Sequence, residues 1–270
     1  MIASMYERRM KAANRIAVVI FLIGIVVLLI DWPDSSDDWF NLISIGILGL
    51  LMISIARSSR QKYLDVKDIH IPDSNVPLNE LDHLVLKKEV SLFPRLLLFE
   101  KSGFFAGVVK PIRVISLLYP LSLLLRDSLI MMIPISYGVF NNENNLLFTF
   151  KKSGIKQSTV IIKNEKGKHI GTYEQDNFKK IMNITGRLKN AEGDIILPVE
   201  TQGLAGDFTL FDKQGRQWAH FYHGYFPYEY TDLFSDTENN IVYLSDDLDK
   251  SSKRLLIGLI SYMFLTRNSR

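Results

Sequence analysis

Two charge-free apolar runs near the start limit what this chain can become. Ala12 to Ile30 reads AANRIAVVIFLIGIVVLLI, with no charge after Arg15 until Asp31; Trp39 to Ala56 reads WFNLISIGILGLLMISIA. A bilayer core needs about 20 apolar residues, within a range of about 17–25. The second run meets this outright, and the first does so if Arg15 snorkels and Ala12 and Ala13 are counted. Both runs are apolar on every face, which argues against a hairpin buried in a soluble domain. A cleaved signal peptide would suit Arg8, Arg9 and Lys11, but DWPDSSDDW follows Ile30 where a small-residue cleavage site should stand. Residues 1–62 are therefore expected to form a two-span transmembrane hairpin, with spans at about 12–30 and 39–56.

The flanks orient it. Arg8, Arg9, Lys11 and Arg15 precede the first span, and Arg57, Arg60 and Lys62 follow the second. The joining loop holds Asp31, Asp34, Asp37 and Asp38 and no base. The positive-inside rule then predicts a multi-pass protein of the cell membrane with both termini cytoplasmic. Trp32 and Trp39 fall at the outer ends, where aromatic belts form. Past Arg15 neither span carries an ionisable group, so the hairpin reads as an anchor and not as an ion pathway.

Residues 63–84 have linker composition, with Asp65, Lys67, Asp68, Pro72, Asp73, Asn75 and Pro77. Beyond them a unit recurs: apolar strand, four-residue turn closed by glycine, strand. The turns are EKSG (100–103), NEKG (164–167), NAEG (190–193) and DKQG (212–215). Asp or Asn opens three of these turns, Glu100 fits the pattern less well, and glycine supplies the positive φ at each end; NNENN (141–145) and SDTENN (235–240) read as further turns. LLFTF alternates Leu146, Phe148 and Phe150 on one face, and IILPV alternates Ile195, Leu197 and Val199. Many short strands at this spacing predict an antiparallel sandwich or barrel. Residues 108–140 are apolar too, but Lys110, Arg113, Arg126 and Asp127 and three prolines interrupt them; strands and bends are expected, with a membrane-dipping segment as the alternative.

The chain closes on a second kind of apolar stretch. Leu255 to Leu265 holds eleven uncharged residues, about 16 Å as a helix and roughly half a bilayer core. Asp249 or Ser251 can cap its start. With no polar face it must be buried on all sides, and in a β domain the place for it is the inside of a closed barrel.

VIIKNEKGKHIGTY, FTLFDKQGRQWAHFY and DDLDKSSKRLLIGLISY together resemble the tubby C-terminal-like superfamily, which includes tubby proteins, phospholipid scramblases and LURP-one-related proteins. The resemblance implies a mainly-β domain over residues 85–270: an antiparallel β-barrel of about twelve strands around a C-terminal hydrophobic central helix, 252–265. It also implies residence at membranes and, in some members, phosphoinositide binding.

No catalytic signature stands out. His220 and His223 would face opposite ways on a strand, without a ligand set around them. G-x-S-x-G, P-loop, H-E-x-x-H and EF-hand patterns are absent; His220, Ser245 and Asp246 make a triad only on paper. The chain lacks cysteine, which excludes disulfides and thiolate zinc sites. No enzyme, no metal and no cofactor is expected. The net charge of +3 hides a division: residues 141–190 hold ten bases against four acids, and residues 191–250 three against twelve. Lys151, Lys152, Lys156, Lys163, Lys166 and Lys168 gather around one hairpin and are the expected contacts for lipid head groups. On the cytoplasmic side each base near anionic lipid is attracted by about 1 kcal/mol. The expected function is a membrane-anchored binding module engaging anionic phospholipid or a membrane partner. Alternatives are a lipid-transfer or scrambling protein and a protein-interaction subunit docking through the acidic 191–250 surface. The aromatic run 218–230 suits strand packing first and a membrane-interface belt second. Nucleic acid is not expected.

Overall fold

A computed structural model describes residues 2–30, 32–69, 71–89, 93–113, 135–153, 158–176, 184–201, 207–224 and 239–266. The chain divides into two compact units, Met1–His70 and Ile71–Arg270.

The first unit is a pair of helices, α1 (Ile2–Ile30) and α2 (Ser36–Val66). Both are long and apolar enough to cross a membrane. Their 29 and 31 residues give about 43 and 46 Å at 1.5 Å per residue, more than the roughly 30 Å of a hydrocarbon core. α1 therefore begins well before Ala12, its polar first turns carrying a Lys11–Glu7 pair one turn apart at 2.6 Å. Ser35 starts α2 with a capping box: its Oγ accepts from the Asp38 N–H at 3.2 Å, and Asp38 accepts from the Ser35 N–H at 3.1 Å. The Trp32 and Trp39 rings meet edge to face at 6.4 Å. α2 continues to Val66, so the first four residues of the expected linker are helical. Apolar side chains point outward along both helices; Val18 is 58% exposed and Leu29 81%.

The second unit carries β1 (His83–Glu89), β2 (Arg95–Phe99), β3 (Phe105–Arg113), β4 (Ser136–Asn141), β5 (Leu146–Ser153) and β6 (Ser158–Asn164). It continues with β7 (His169–Asp176), β8 (Ile184–Asn190), β9 (Ile195–Thr201), β10 (Phe208–Phe211), β11 (Gln217–Gly224), β12 (Asn239–Leu244) and a last helix, α3 (Lys250–Thr266). The twelve strands form one antiparallel sheet in the order β10-β11-β12-β1-β2-β3-β4-β5-β6-β7-β8-β9. Every neighbour is also a neighbour in sequence except β12 and β1. The two ends of that order, β9 and β10, lie alongside each other, so the sheet is a nearly closed β-barrel. Closure removes the exposed edges that make open sheets prone to aggregate. Pro198 in the middle of β9 lacks a donor, which suits the strand to the seam.

The turns fall where the sequence sets them. Gly103, Gly167, Gly193 and Gly215 all have positive φ, between 78° and 94°, and the φ of Asn144 is 65°. Glycine pays no Cβ penalty there. Strand alternation then sends Phe148, Phe150, Val160, Ile162, Leu197 and Val199 into one core. Val108–Phe140 contributes β3 and β4 at its two ends; its residues 114–134 lie outside the described residues, as does most of the expected turn at 235–240.

α3 belongs to the same core. Every residue from Leu255 to Leu265 is buried. Leu255 packs over Gly171 of β7, and Tyr262 meets Tyr173 of β7 with ring centroids 6.0 Å apart. Phe264 stacks on Phe221 of β11 at 5.9 Å. Gly258 lets the helix approach closely: a Cβ there would stand 3.0 Å from Ile162 and 3.3 Å from Phe148. The ends are fastened by polar groups. The Asp249 carboxylate accepts from the Ser251 and Ser252 N–H groups, and Lys253 Nζ donates to the Leu81 carbonyl at 3.4 Å. Lys88 Nζ donates to the Leu265 carbonyl at 3.1 Å, in the last turn, whose carbonyls lie beyond the helix's own ladder. Burying each large apolar side chain contributes roughly 1.5–3 kcal/mol.

Candidate functional site

The described lysines divide between two faces. Lys151 and Lys152 are consecutive on β5, so they face opposite ways. Lys151 points away from the core and is exposed. Lys152 shares the parity of Phe148 and Phe150, is half-buried, and has its ammonium pKa pushed down by that burial. Lys163 of β6 is exposed on the outer face. It stands opposite Thr149, and Lys151 stands opposite Ile161, so the two lysines are diagonal neighbours, roughly 7–8 Å apart. Lys166 and Lys168 extend the band into the β6–β7 turn. There the Asn164 Oδ1 accepts from both of their backbone N–H groups, at 3.1 and 2.9 Å, and holds the turn shape. Lys156 lies outside the described residues. Lys151, Lys163, Lys166 and Lys168 thus form one band, and Lys152 does not join it.

Register adds a cation that the sequence cluster leaves out. Lys110 of β3 pairs across Gly138 of β4, Gly138 across Thr149 of β5, and Thr149 across Lys163 of β6. Directly opposed residues share a face, so Lys110 stands in the same outer row as Lys163. Its ammonium lies 4.3 Å from the centre of the Phe140 ring and 2.6 Å from Asn144 Oδ1. Burial, and then the nearby Arg95 charge, lower its pKa. The sequences of β3, β4, β5 and β6 contain no Asp or Glu at all.

The neighbouring hairpin is different. Lys189 of β8 meets Glu174 of β7 at 2.7 Å, and Arg187 meets Asp176 at 3.5 Å. Those bases are neutralised on the spot. Among the described residues no carboxylate comes within 4.0 Å of the Lys151, Lys163, Lys166 or Lys168 ammonium groups. Among the described bases of residues 141–190, the ones left without an ion pair on the outer face therefore lie on β5, β6 and the β6–β7 turn.

The other candidates are structurally occupied. His220 Nδ1 lies 2.8 Å from Thr209 Oγ1, and its ring stacks on Tyr222 at 5.6 Å. Ser245 donates its N–H to the Trp218 carbonyl, and Asp246 lies 3.9 Å from Lys253. Within the aromatic run, Trp218 and Phe221 are core residues, and 225–230 lie outside the described residues. A hollow of about 330 Å³ is bordered by Glu80, Asp82 and Glu100. Each of those carboxylates already has a partner: Lys250 at 2.6 Å, His83 at 3.1 Å, and Ser74 at 2.9 Å together with Ser102.

The acidic 191–250 stretch also turns part of its charge inward. Asp212 is buried and accepts from the Gln214 and Arg216 N–H groups, the Arg216 side chain and the Trp218 ring N–H at 3.2 Å. Burial alone would raise its pKa, but those hydrogen bonds outweigh it and hold the carboxyl below the usual range.

No family model, no curated protein and no solved structure matches this chain.

Proposed function

We propose that this protein is a membrane-anchored, non-enzymatic binding module. In this reading a tubby-like barrel, held at the cytoplasmic face by α1 and α2, engages anionic lipid head groups through Lys151, Lys163, Lys166 and Lys168. α3 is its central helix, enclosed by the strands. Support for that enclosure comes from the burial of Leu255–Leu265 and from contacts reaching β7 and β11, which stand far apart in the strand order. Support for the cytoplasmic side is the basic flanks of the spans and the acidic loop between them.

One observation carries the lipid reading: the strand members of the band, Lys151 and Lys163, lie on strands that contain no carboxylate, while the next hairpin neutralises its own bases. A merely solvated basic face would not need that separation. The tether keeps the band near lipid. Lys67 to Asp82 can span at most about 55 Å fully extended.

The test is vesicle binding by residues 71–270, the second compact unit. Binding to vesicles containing phosphatidylserine should exceed binding to phosphatidylcholine alone and should fall with salt. Changing Lys151, Lys163, Lys166 and Lys168 together to Gln should remove up to about 4 kcal/mol, at about 1 kcal/mol per base. Lys152→Gln, on the other face, should change little. Equal binding to neutral and anionic vesicles, or equal loss from Lys152→Gln, rejects the reading. Binding that is absent from all vesicles would favour a protein partner.

A further inference from the structure

We propose that Ile112 and Phe140 form an apolar foot, framed by Lys110 and Lys151, that enters the interfacial layer of an anionic bilayer when the barrel docks. This rests on the lipid reading above and adds a contact that the lysine cluster does not contain. Ile112 sits at a register shift in β3, between Pro111 and Arg113. A bulge bends its strand and re-aims the extra side chain, and Ile112 is 40% exposed, on a barrel whose other described large apolar side chains are mostly buried.

Gly138 makes the foot possible. A Cβ on Gly138 would stand 2.6 Å from the Phe140 ring and 3.0 Å from Ile112. Both apolar side chains therefore lean over the same glycine and make one patch on the outer face. Lys110 caps the Phe140 ring on one side. Ser136, next in line with Gly138 on β4, pairs directly with Lys151, so a second cation borders the patch across one strand. An apolar centre rimmed by cations complements one surface well: an anionic bilayer, whose charge attracts the rim and whose interface accepts the centre. A protein partner would need its own acidic rim, whereas α1 and α2, as membrane spans, would already keep the barrel within reach of a bilayer.

The experiment uses the full chain, which has no native cysteine. Ile112→Cys is labelled with an environment-sensitive fluorophore and reconstituted into two sets of vesicles, phosphatidylcholine alone and phosphatidylcholine with phosphatidylserine. The label should shift to the blue and be quenched by brominated acyl chains in the anionic vesicles only. A label at the exposed Lys213→Cys should report water in both. A second variant guards against distortion by the label. With the reporter moved to Thr149→Cys, in the same outer row but outside the lysine band, Ile112→Ser should weaken the anionic-specific signal several-fold without changing the far-ultraviolet spectrum. An Ile112 label that reports water in both vesicles overturns the foot. An equal shift in both also overturns it, because the site would then be covered without any requirement for anionic lipid. If the lysine variants still abolish vesicle binding in either case, the basic-face reading survives; if they do not, both fall.

Discussion

Two of the apolar helices in this chain have opposite surroundings. α2 exposes its apolar side chains along the span, as α1 does, whereas α3 buries every residue from Leu255 to Leu265. Composition does not separate them; length and flanks do. Eleven uncharged residues cannot cross about 30 Å of hydrocarbon, and α3 is tied at both ends by polar contacts to the β unit, through Lys253 and Lys88. α2 is capped by its own loop residue, Ser35, and carries its bases beyond the apolar run. The lesson is that an all-apolar helix states only that water is excluded. Its length and the partners at its ends state whether lipid or protein does the excluding.

The sharpest way to break this contrast is a charge in each helix. Ile257→Asp would bury a carboxylate among apolar neighbours, costing on the order of several kcal/mol, comparable with a domain's whole stability. The full chain in detergent should lose its cooperative thermal transition and become sensitive to limited proteolysis after residue 71. Leu22→Lys, near the middle of the apolar run of α1, should act on the other unit alone. It should impair membrane integration by about 2.5–3.5 kcal/mol and leave the β unit's thermal transition in place.

Smaller effects sharpen the account of the β unit. Asp212→Ala would leave the buried Trp218 ring N–H without its acceptor, a loss of about 1–3 kcal/mol by denaturant titration. Because the folded-state pKa of Asp212 is lowered, its contribution is present above the ordinary value of 3.8 and is lost as pH falls through the folded value. The wild-type chain should therefore lose more stability than Asp212→Ala on going from pH 5 to pH 2. Tyr173 gives the smallest and opposite signal. Its phenol is buried with no described hydrogen-bond partner, and burial first, then Tyr262 and Asp176, raise its pKa well above 10.0. The unfolded chain ionises Tyr173 from about pH 10 upward while the folded chain resists, so stability falls as pH rises through that window. Tyr173→Phe should be near neutral at pH 7 and should blunt the alkaline loss.

Much of the fold is legible in the sequence because its signals are local. The four glycine-closed turns need a positive φ that few other residues supply, and their flanks alternate with period two. The two long apolar runs announce themselves by length. The candidate site was legible only in part. Period two alone separates Lys151 from Lys152, yet a compositional count groups them. Lys110 and Lys163 lie more than fifty residues apart and share a row only through the pairing of four strands. The same holds for Glu174 and Lys189, whose ion pair removes one base from the face. Ile112 follows Lys110 by two residues, so period two places it outward; its patch with Phe140 over Gly138 appears only once β3 and β4 are paired.

Hydrogen exchange across a denaturant series tests the central contrast most directly, with the full chain held in lipid nanodiscs. If protein encloses α3, the amides of Leu256 to Leu265 should exchange at the same opening free energy as β5, β6 and β7, and lose protection in the same transition. The amides of Val18 to Ile30 should stay protected beyond it. Protection of Leu256 to Leu265 that outlasts the melting of β5–β7 would contradict the account and make the last helix a creature of the bilayer.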